Sequence, residues 1–186
     1  YERLRLLAQR SHGTELSEAE IDHIVAHYDA MLAYADVQIG TFLAAAENAG
    51  HLDNTLVIIH GDHGEDMLDH GFINHRTALT DSCVRVPLIM VGPGILQGHR
   101  QSGLTDSLDV VATILDVANV QAPVDLRGRS LIPVLENRAE TRESIFIEGV
   151  HEMIAVRTET HKLIFLGPDL VVEDYVDQLR DAPLQA

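Results

Sequence analysis

The residues of this chain that could bind a metal or take part in catalysis follow a short apolar segment. Residues 55–60 are apolar and rich in β-branched side chains, and the run Gly-Asp-His-Gly-Glu at positions 61–65 follows them directly. A carboxylate beside an imidazole, as in Asp62 and His63, is half of a plausible metal site. Flanking glycines let the backbone turn, so that both side chains can face one centre. Asp62 and His63 are therefore candidate metal ligands, although an ordinary strand-to-loop turn is the commoner meaning of such a run.

Two histidines, His70 and His75, lie in the loop that follows this run. A loop histidine is usually only solvated, so spacing alone gives neither of them a role. His63 and Glu65 match the first half of a zinc deaminase signature, but its Pro-Cys-x-x-Cys half is absent. The chain also lacks His-Glu-x-x-His, Gly-x-Ser-x-Gly and Walker-type motifs, which excludes the enzyme classes that depend on them.

Length and composition narrow the remaining classes of protein. The 186 residues are enough for one domain, and a composition of 46% hydrophobic and 4% aromatic residues predicts an aliphatic core. A net charge of −16 argues against nucleic acid or an anionic membrane as partner. No segment approaches the roughly 20 apolar residues of a membrane span. Cys83 is the single cysteine, so the chain cannot form an intrachain disulfide. We expect its side chain to be buried as a small hydrophobic residue.

Hydrophobic periodicity predicts the elements that position the candidate ligands. Ser17 and Glu20 form a capping-box pattern that opens a long, core-facing helix, and Gly50 suits its end. Gly40 marks a kink or a break within this helix. Residues 55–60 show no alternation, so they predict a strand buried on both faces, as in a parallel sheet.

The next elements follow the candidate ligands. Residues 77–83 predict a short helix and residues 85–91 a second buried strand. Residues 105–107 can cap a helix that runs through residue 118. One side of this helix is apolar and is expected to face the core: Leu108, Val111, Leu115 and Ala118.

The C-terminal segments predict a small antiparallel sheet. Residues 145–147, 153–156 and 163–166 are typical of strands, and the last two form a hairpin. The fold class is therefore α/β, with helices flanking a sheet and a small antiparallel sheet after it. We expect an α/β domain over residues 1–140 and an antiparallel strand subdomain with its tail over residues 141–186.

The segment Asn54 to Glu65 resembles the sulfatase family of the alkaline phosphatase superfamily. Other segments resemble the same family in the same order: Tyr28-Asp29-Ala30, Asp36, Ile39-Gly40, His70-Gly71, His75, residues 85–89, residues 106–116, Gly128-Arg129-Ser130-Leu131, Val156-Arg157-Thr158 and His161-Lys162-Leu163-Ile164. The resemblance covers about residues 17–166. It implies that the main sheet is part of an alkaline-phosphatase-like sheet.

The resemblance also implies roles for the candidate residues. Asp62 and His63 would bind a divalent metal ion, and His75 would be both substrate-binding and catalytic, contacting the sulfate or the leaving-group oxygen. Calcium is the ion expected first, with manganese, magnesium or zinc as alternatives, because imidazole suits manganese and zinc better than calcium. The substrate would be a sulfate ester whose organic part the sequence leaves open.

The family's nucleophile motif, Cys/Ser-x-Pro-x-Arg, is absent from this chain, and so are two further Asp ligands of its N-terminal part. The chain therefore looks like the C-terminal portion of such an enzyme. Alone, it is expected to be inactive, to bind divalent metal ions only weakly, and to self-associate through an open strand edge. Two alternatives remain, a phosphate or phosphonate ester hydrolase of the same superfamily and a non-catalytic structural or interaction domain.

Overall fold

The computed structural model of the chain describes residues 16–68, 73–75, 79–149 and 153–166. The chain forms two compact units, the first ending at Gly94 and the second beginning at Ile95. The domain division that the sequence suggested at residue 140 stays a prediction. Among the described residues, no helix has both the length and the apolar character needed to cross a membrane.

A long helix, α1 (Glu18–Asn48), opens the described part of the first unit. The N–H and the hydroxyl of Ser17 donate to the Glu20 carboxylate at 3.0 and 2.8 Å, so the predicted capping pattern is present. The helix continues through Gly40 without the predicted break. Gly50 then takes a φ of +72°, a left-handed conformation that lets the chain leave the helix at low cost.

The exposure of α1 corrects the prediction that this helix faces a core. Ile24 is its buried residue. Large apolar side chains along it are exposed: Met31, Leu32, Tyr34, Val37, Ile39 and Phe42. Periodicity shows which residues of a helix share a face, but it does not show whether the same unit supplies a surface to cover that face.

Two strands, β1 (Val57–His60) and β4 (Leu88–Val91), form an antiparallel pair. The prediction of a parallel arrangement buried on both faces is wrong for this pair. β1 is half-buried throughout, and β4 alternates between half-buried and exposed residues. A continuous apolar run indicates a strand, but it holds no information about the direction of the neighbouring strand.

The register of this pair places the polar run next to the start of β4. His60, the last residue of β1, lies opposite Leu88, the first residue of β4. The Gly61 N–H extends the pairing by donating to the Pro87 carbonyl at 3.2 Å. The residues after Gly61 therefore leave the strand beside the segment that leads into β4.

A short ladder follows the polar run. β2 (Asp66–Met67) and β3 (Ile73–Asn74) are antiparallel, with Asp66 opposite Asn74. The helix α2 (Asp81–Val84) begins later than the predicted residue 77, and residues 76–78 lie outside the described part of the chain. Cys83 in this helix is buried, as predicted.

The second unit contains two helices and the C-terminal sheet. The helices are α3 (Leu108–Val117) and α4 (Ile132–Leu135), and the strands are β5 (Ser144–Glu148), β6 (Met153–Thr158) and β7 (Lys162–Leu166). The strand order is β5–β6–β7 with antiparallel pairing throughout, which confirms the predicted antiparallel group. One face of the sheet is buried through Met153, Ala155 and Ile164, while Ile154, Leu163 and Phe165 are exposed. This alternation is typical of an antiparallel sheet with one solvated face.

Burial in α3 differs from the predicted pattern, because Leu108 and Val111 are about half exposed, at 48% and 50%. The buried residues are Asp109, Ala112 and Thr113. A carboxylate and a hydroxyl therefore occupy positions that the apolar pattern of the helix could not mark as interior.

Asp109 is fully buried, and both of its carboxylate oxygens accept hydrogen bonds. It accepts hydrogen bonds from Arg142 Nε at 3.0 Å and from Arg142 Nη2, and from the backbone N–H groups of Arg129 and Asp106 at 2.8 and 3.0 Å. Burial by itself would raise the pKa of Asp109, but the bonds from Arg142 and the two backbone groups outweigh it and hold the pKa below its usual value. The hydrogen bond to Asp109 in turn raises the pKa of Arg142.

The Gly-Arg-Ser-Leu turn at residues 128–131 docks on the same helix. The Leu131 N–H donates to Thr113 Oγ1 at 2.9 Å. A β-carbon at Gly128 would lie 2.0 Å from the Leu108 carbonyl oxygen, so glycine is required for this close approach. Packing within the second unit thus accounts for this motif.

Candidate metal centre

The β2–β3 ladder aligns two ionisable side chains beyond its end. Because Asp66 pairs with Asn74, the preceding Glu65 and the following His75 come next in the antiparallel register. Their side chains meet, with Glu65 Oε2 2.9 Å from His75 Nδ1. Both are partly exposed, at 23% and 32%. The contact holds the imidazole in one orientation where solutes can still reach it.

His63 lies against this pair. Its ring stacks on the ring of His75, with centroids 3.9 Å apart and planes inclined by 17°. His63 Nδ1 lies 2.9 Å from the Gly64 carbonyl oxygen. Since a carbonyl can only accept, Nδ1 carries the proton and Nε2 of a neutral ring keeps its lone pair for a ligand.

Asp62 is the most open member of the group, with 91% of its side chain exposed. Its Oδ1 accepts the backbone N–H of His63 at 2.9 Å, and its Oδ2 lies 3.8 Å from His63 Nε2. The hydrogen bond from the backbone N–H of His63 lowers the pKa of Asp62. The turn after β1 has therefore brought the two adjacent side chains towards one centre, as the glycines suggested.

Buried contacts with α2 anchor the loop that carries these residues. Asp66 is fully buried and accepts hydrogen bonds from Ser82 Oγ at 2.8 Å and Thr80 Oγ1 at 3.4 Å. The Gly64 N–H donates to the Cys83 carbonyl at 2.7 Å. A β-carbon on Gly64 would lie 1.9 Å from the Ser82 carbonyl oxygen. The glycine thus permits the close contact that fixes the backbone between His63 and Glu65.

The donor set of this cluster fits a divalent ion. One ligand atom from each of His63, Glu65 and His75 lies within 4.8 Å of the others. Two imidazoles and one carboxylate are the ligands of a familiar class of zinc site. Calcium takes six to eight oxygens, which this group alone does not offer.

The structure brings together the three site residues that the sequence predicted: Asp62, His63 and His75. His70 lies outside the described residues. Sequence reasoning gave no role to Glu65, because its contact depends on the pairing of Asp66 with Asn74. The spacing of His63 and Glu65 was the available signal, but it was read only against the deaminase signature.

Two family profiles match the chain. The profile described as Sulfatase covers residues 5–120, and that described as N-sulphoglucosamine sulphohydrolase, C-terminal, covers residues 68–183. Arylsulfatase K of Rattus norvegicus is 31% identical over 147 residues, which are 79% of this chain and 25% of that protein. N-acetylglucosamine-6-O-sulfatase of Bacteroides thetaiotaomicron is 30% identical over 182 residues, 91% of this chain and 32% of that protein. The chain thus spans about a quarter to a third of these relatives.

Solved structures also superpose on this chain. A protein solved in complex with its substrate D-glucosamine-2-N,6-O-disulfate superposes with a TM-score of 0.74 at 29% identity, over 89% of this chain and 37% of that one. Phosphonate monoester hydrolase from Silicibacter pomeroyi superposes with a TM-score of 0.78 at 26% identity, over the same shares of the two chains. With a Sulfatase profile matched over more than half of its residues, this chain belongs to the sulfatase family.

Proposed function

We propose that this chain is the C-terminal portion of a metal-dependent sulfuric ester hydrolase. In the parent enzyme Asp62 and His63 bind the ion, and His75 contacts the ester. The observation that carries this proposal is the convergence of the three residues, with His75 stacked on His63 and the Asp62 carboxylate 3.8 Å from His63 Nε2. Because the chain belongs to the sulfatase family, we interpret these residues as metal ligands and as a contact to the ester.

Asp62 and His63 contribute different properties to the metal. Asp62 is an exposed carboxylate whose pKa lies below its usual value, so it is ionised at neutral pH and brings a negative charge. His63 brings the lone pair of Nε2, since Nδ1 is committed to the Gly64 carbonyl. When bound, the ion would act as a Lewis acid on the nucleophile and a sulfuryl oxygen. We propose calcium first, with manganese, magnesium or zinc as alternatives, and further oxygen ligands come from the rest of the parent protein.

His75 is suited to the leaving-group side of the reaction. Cleavage of an ester builds negative charge on the departing oxygen, and a positioned donor there contributes roughly 10²- to 10⁴-fold in rate. Glu65 orients the His75 ring through its contact with Nδ1. His75 would then hydrogen-bond the charged oxygens or protonate the leaving group.

The test begins with the coding sequence upstream of Tyr1. A Cys/Ser-x-Pro-x-Arg motif is expected there, and the complete protein should hydrolyse 4-nitrophenyl sulfate in a reaction that chelation abolishes. Asp62→Asn should lower kcat/KM at least about 100-fold. Replacing even a residue that only hydrogen-bonds to a metal ligand lowers metal affinity or activity about 10- to 100-fold. An upstream sequence without any nucleophile, or full activity in Asp62→Asn, would overturn the proposal.

A phosphonate ester hydrolase is the second candidate, because a phosphonate monoester hydrolase superposes with a TM-score of 0.78. The two candidates share Asp62 and His63 and differ in the preferred ester. Paired kcat/KM measurements on 4-nitrophenyl sulfate and 4-nitrophenyl phenylphosphonate separate them. The sulfate should be the better substrate, and a preference for the phosphonate would select the second candidate.

A further inference from the structure

We propose that His23 and His27 on α1 form a binding site for a late first-row transition ion, Cu²⁺ first and then Ni²⁺ or Zn²⁺. The site shares no residue with the centre formed by Asp62, His63 and His75, and the expectation of weak metal binding by the chain alone concerned only that centre. It is also separate from the proposed hydrolase activity, because the two imidazoles would bind the ion whether or not the parent enzyme cleaves esters.

The spacing of the two histidines places them on one face of the helix. Residues four apart on an α-helix lie about one turn apart, so their side chains are neighbours. Both side chains are exposed, and an ion in solution can reach them. The zinc-binding motif His-Glu-x-x-His has the same spacing, so two helical imidazoles four apart can hold one ion. Ile24 stands where that motif has its general base, and we therefore expect binding here without hydrolysis.

The hydrogen bond of His27 determines which of its nitrogens can bind. Its Nδ1 lies 2.9 Å from the His23 carbonyl oxygen. Because a carbonyl only accepts, Nδ1 donates, and Nε2 of the neutral ring keeps its lone pair for an ion. An imidazole whose other nitrogen donates to a backbone carbonyl is a common arrangement of metal-binding histidines. The bond also holds the His27 ring over the preceding turn of the helix, against His23.

The relative placement of the two rings suits ligands at right angles. Their centroids are 4.3 Å apart and their planes are inclined by 58°. An ion 2.0–2.1 Å from each nitrogen lies about 3.2 Å from each ring centre, so two imidazoles at right angles have centres about 4.5 Å apart. The observed separation is close to this value, and small rotations of the inclined rings would direct both lone pairs at one centre. Neighbouring ligands at right angles are typical of the tetragonal coordination of Cu²⁺ and Ni²⁺.

The charges near the N-terminus of α1 favour a cation at this position. The positive end of a helix dipole opposes a bound cation, but the effect falls off within the first turn. His23 lies beyond that turn, in which Glu18 and Glu20 carry negative charge. Among divalent first-row ions Cu²⁺ binds nitrogen ligands most tightly, whereas Ca²⁺ and Mg²⁺ prefer oxygen. The site should therefore select Cu²⁺ over these two ions.

The experiment titrates Cu²⁺ into the metal-free 186-residue chain by calorimetry. One equivalent is expected to bind at α1, and millimolar Ca²⁺ should not displace it. His23→Gln and His27→Gln should each weaken this binding at least about tenfold, because the second imidazole then no longer binds intramolecularly. The matched control is His51→Gln, which removes one exposed histidine beyond the end of α1 and should leave the binding unchanged.

A double variant tests the spacing of the histidines with their number held constant. His27→Gln combined with Ala33→His keeps two histidines on α1 but separates them by ten residues, about 15 Å along the helix. It should bind as weakly as His27→Gln alone, and far-UV circular dichroism checks that each variant keeps its helix. The proposal is overturned if the separated pair or folded His27→Gln binds as the parent chain does. It is equally overturned if His63→Ala abolishes the binding, because the ion would then lie in the loop after β1.

Discussion

Two carboxylate clusters, one in each unit, lie in segments that resemble the sulfatase family, yet they differ in burial and in the partners of their carboxylates. Asp109 is fully buried and accepts bonds from Arg142, Arg129 and Asp106. Asp62 is 91% exposed and accepts a bond from the backbone of the next residue. A buried and saturated carboxylate cannot exchange its partners for a substrate or an ion. An exposed carboxylate beside imidazoles can.

This difference shows that a charged residue within a family motif need not belong to the chemistry. Asp109 and the turn at residues 128–131 hold the second unit together, so their removal should affect folding. Asp62 and His63 are largely exposed and His75 is partly exposed, so their removal should affect function more than folding. The predictions below test that separation.

The largest effect is expected when one partner of the buried ion pair is removed. Asp109→Ala leaves the Arg142 charge without its carboxylate and should lower the free energy of unfolding by about 3–5 kcal/mol. Asp62→Ala, an exposed match, should change it by less than about 0.5 kcal/mol. Urea unfolding of both variants is the measurement, and equal losses would show that the two clusters do not differ in this way.

A smaller effect is expected from adding one methyl group to the loop of the candidate site. Gly64→Ala places a β-carbon 1.9 Å from the Ser82 carbonyl oxygen and should cost about 1–3 kcal/mol of stability. Gly40→Ala is the control, because nothing lies within 4 Å of its new β-carbon in the middle of α1. That control should stabilise the chain by roughly 0.5–1 kcal/mol. A harmless Gly64→Ala would mean that α2 does not fix the loop.

The pH dependence of stability should also show that the buried Asp109 supports the fold. The pKa of Asp109 is lower in the folded chain, so its ionisation adds stability above the unfolded value of 3.8, and this contribution is lost as the pH falls through the folded pKa. Unfolding free energies measured from pH 5 to pH 2 should therefore fall less steeply in Asp109→Asn than in the parent chain. Parallel curves would show that Asp109 does not contribute.

The smallest expected effect is on the self-association of the chain. The exposed apolar side chains of α1, with Phe42 at 70% exposure, favour pairing with another copy. So do the outer edges of β1 and β4, which pair with no further strand in the described part of the chain. Light scattering of the 186-residue chain should show species larger than a monomer, and Phe42→Glu should reduce them while preserving the helix. A clean monomer at high concentration would contradict this expectation.

Sequence reasoning found local features and missed those set by pairing. The cap at Ser17, the three C-terminal strands and the approach of Asp62 to His63 follow from neighbouring residues, and the structure contains each of them. The antiparallel direction of β1 and β4 is not encoded in either strand alone. The contact of Glu65 with His75 needs the register of β2 and β3, and the burial of Asp109 needs Arg142, 33 residues away.

The most direct test of the central claim, that the exposed cluster does the chemistry, compares leaving groups in the complete parent protein. The measurement is kcat/KM for aryl sulfates of graded phenol acidity in the parent and in His75→Ala. The account predicts that His75→Ala slows poor leaving groups by about 10²- to 10⁴-fold and good ones much less, because an acidic phenol needs little help in departing. Equal losses across the series would make His75 a binding group instead of the acid, and no loss at either end would contradict its place in the active site.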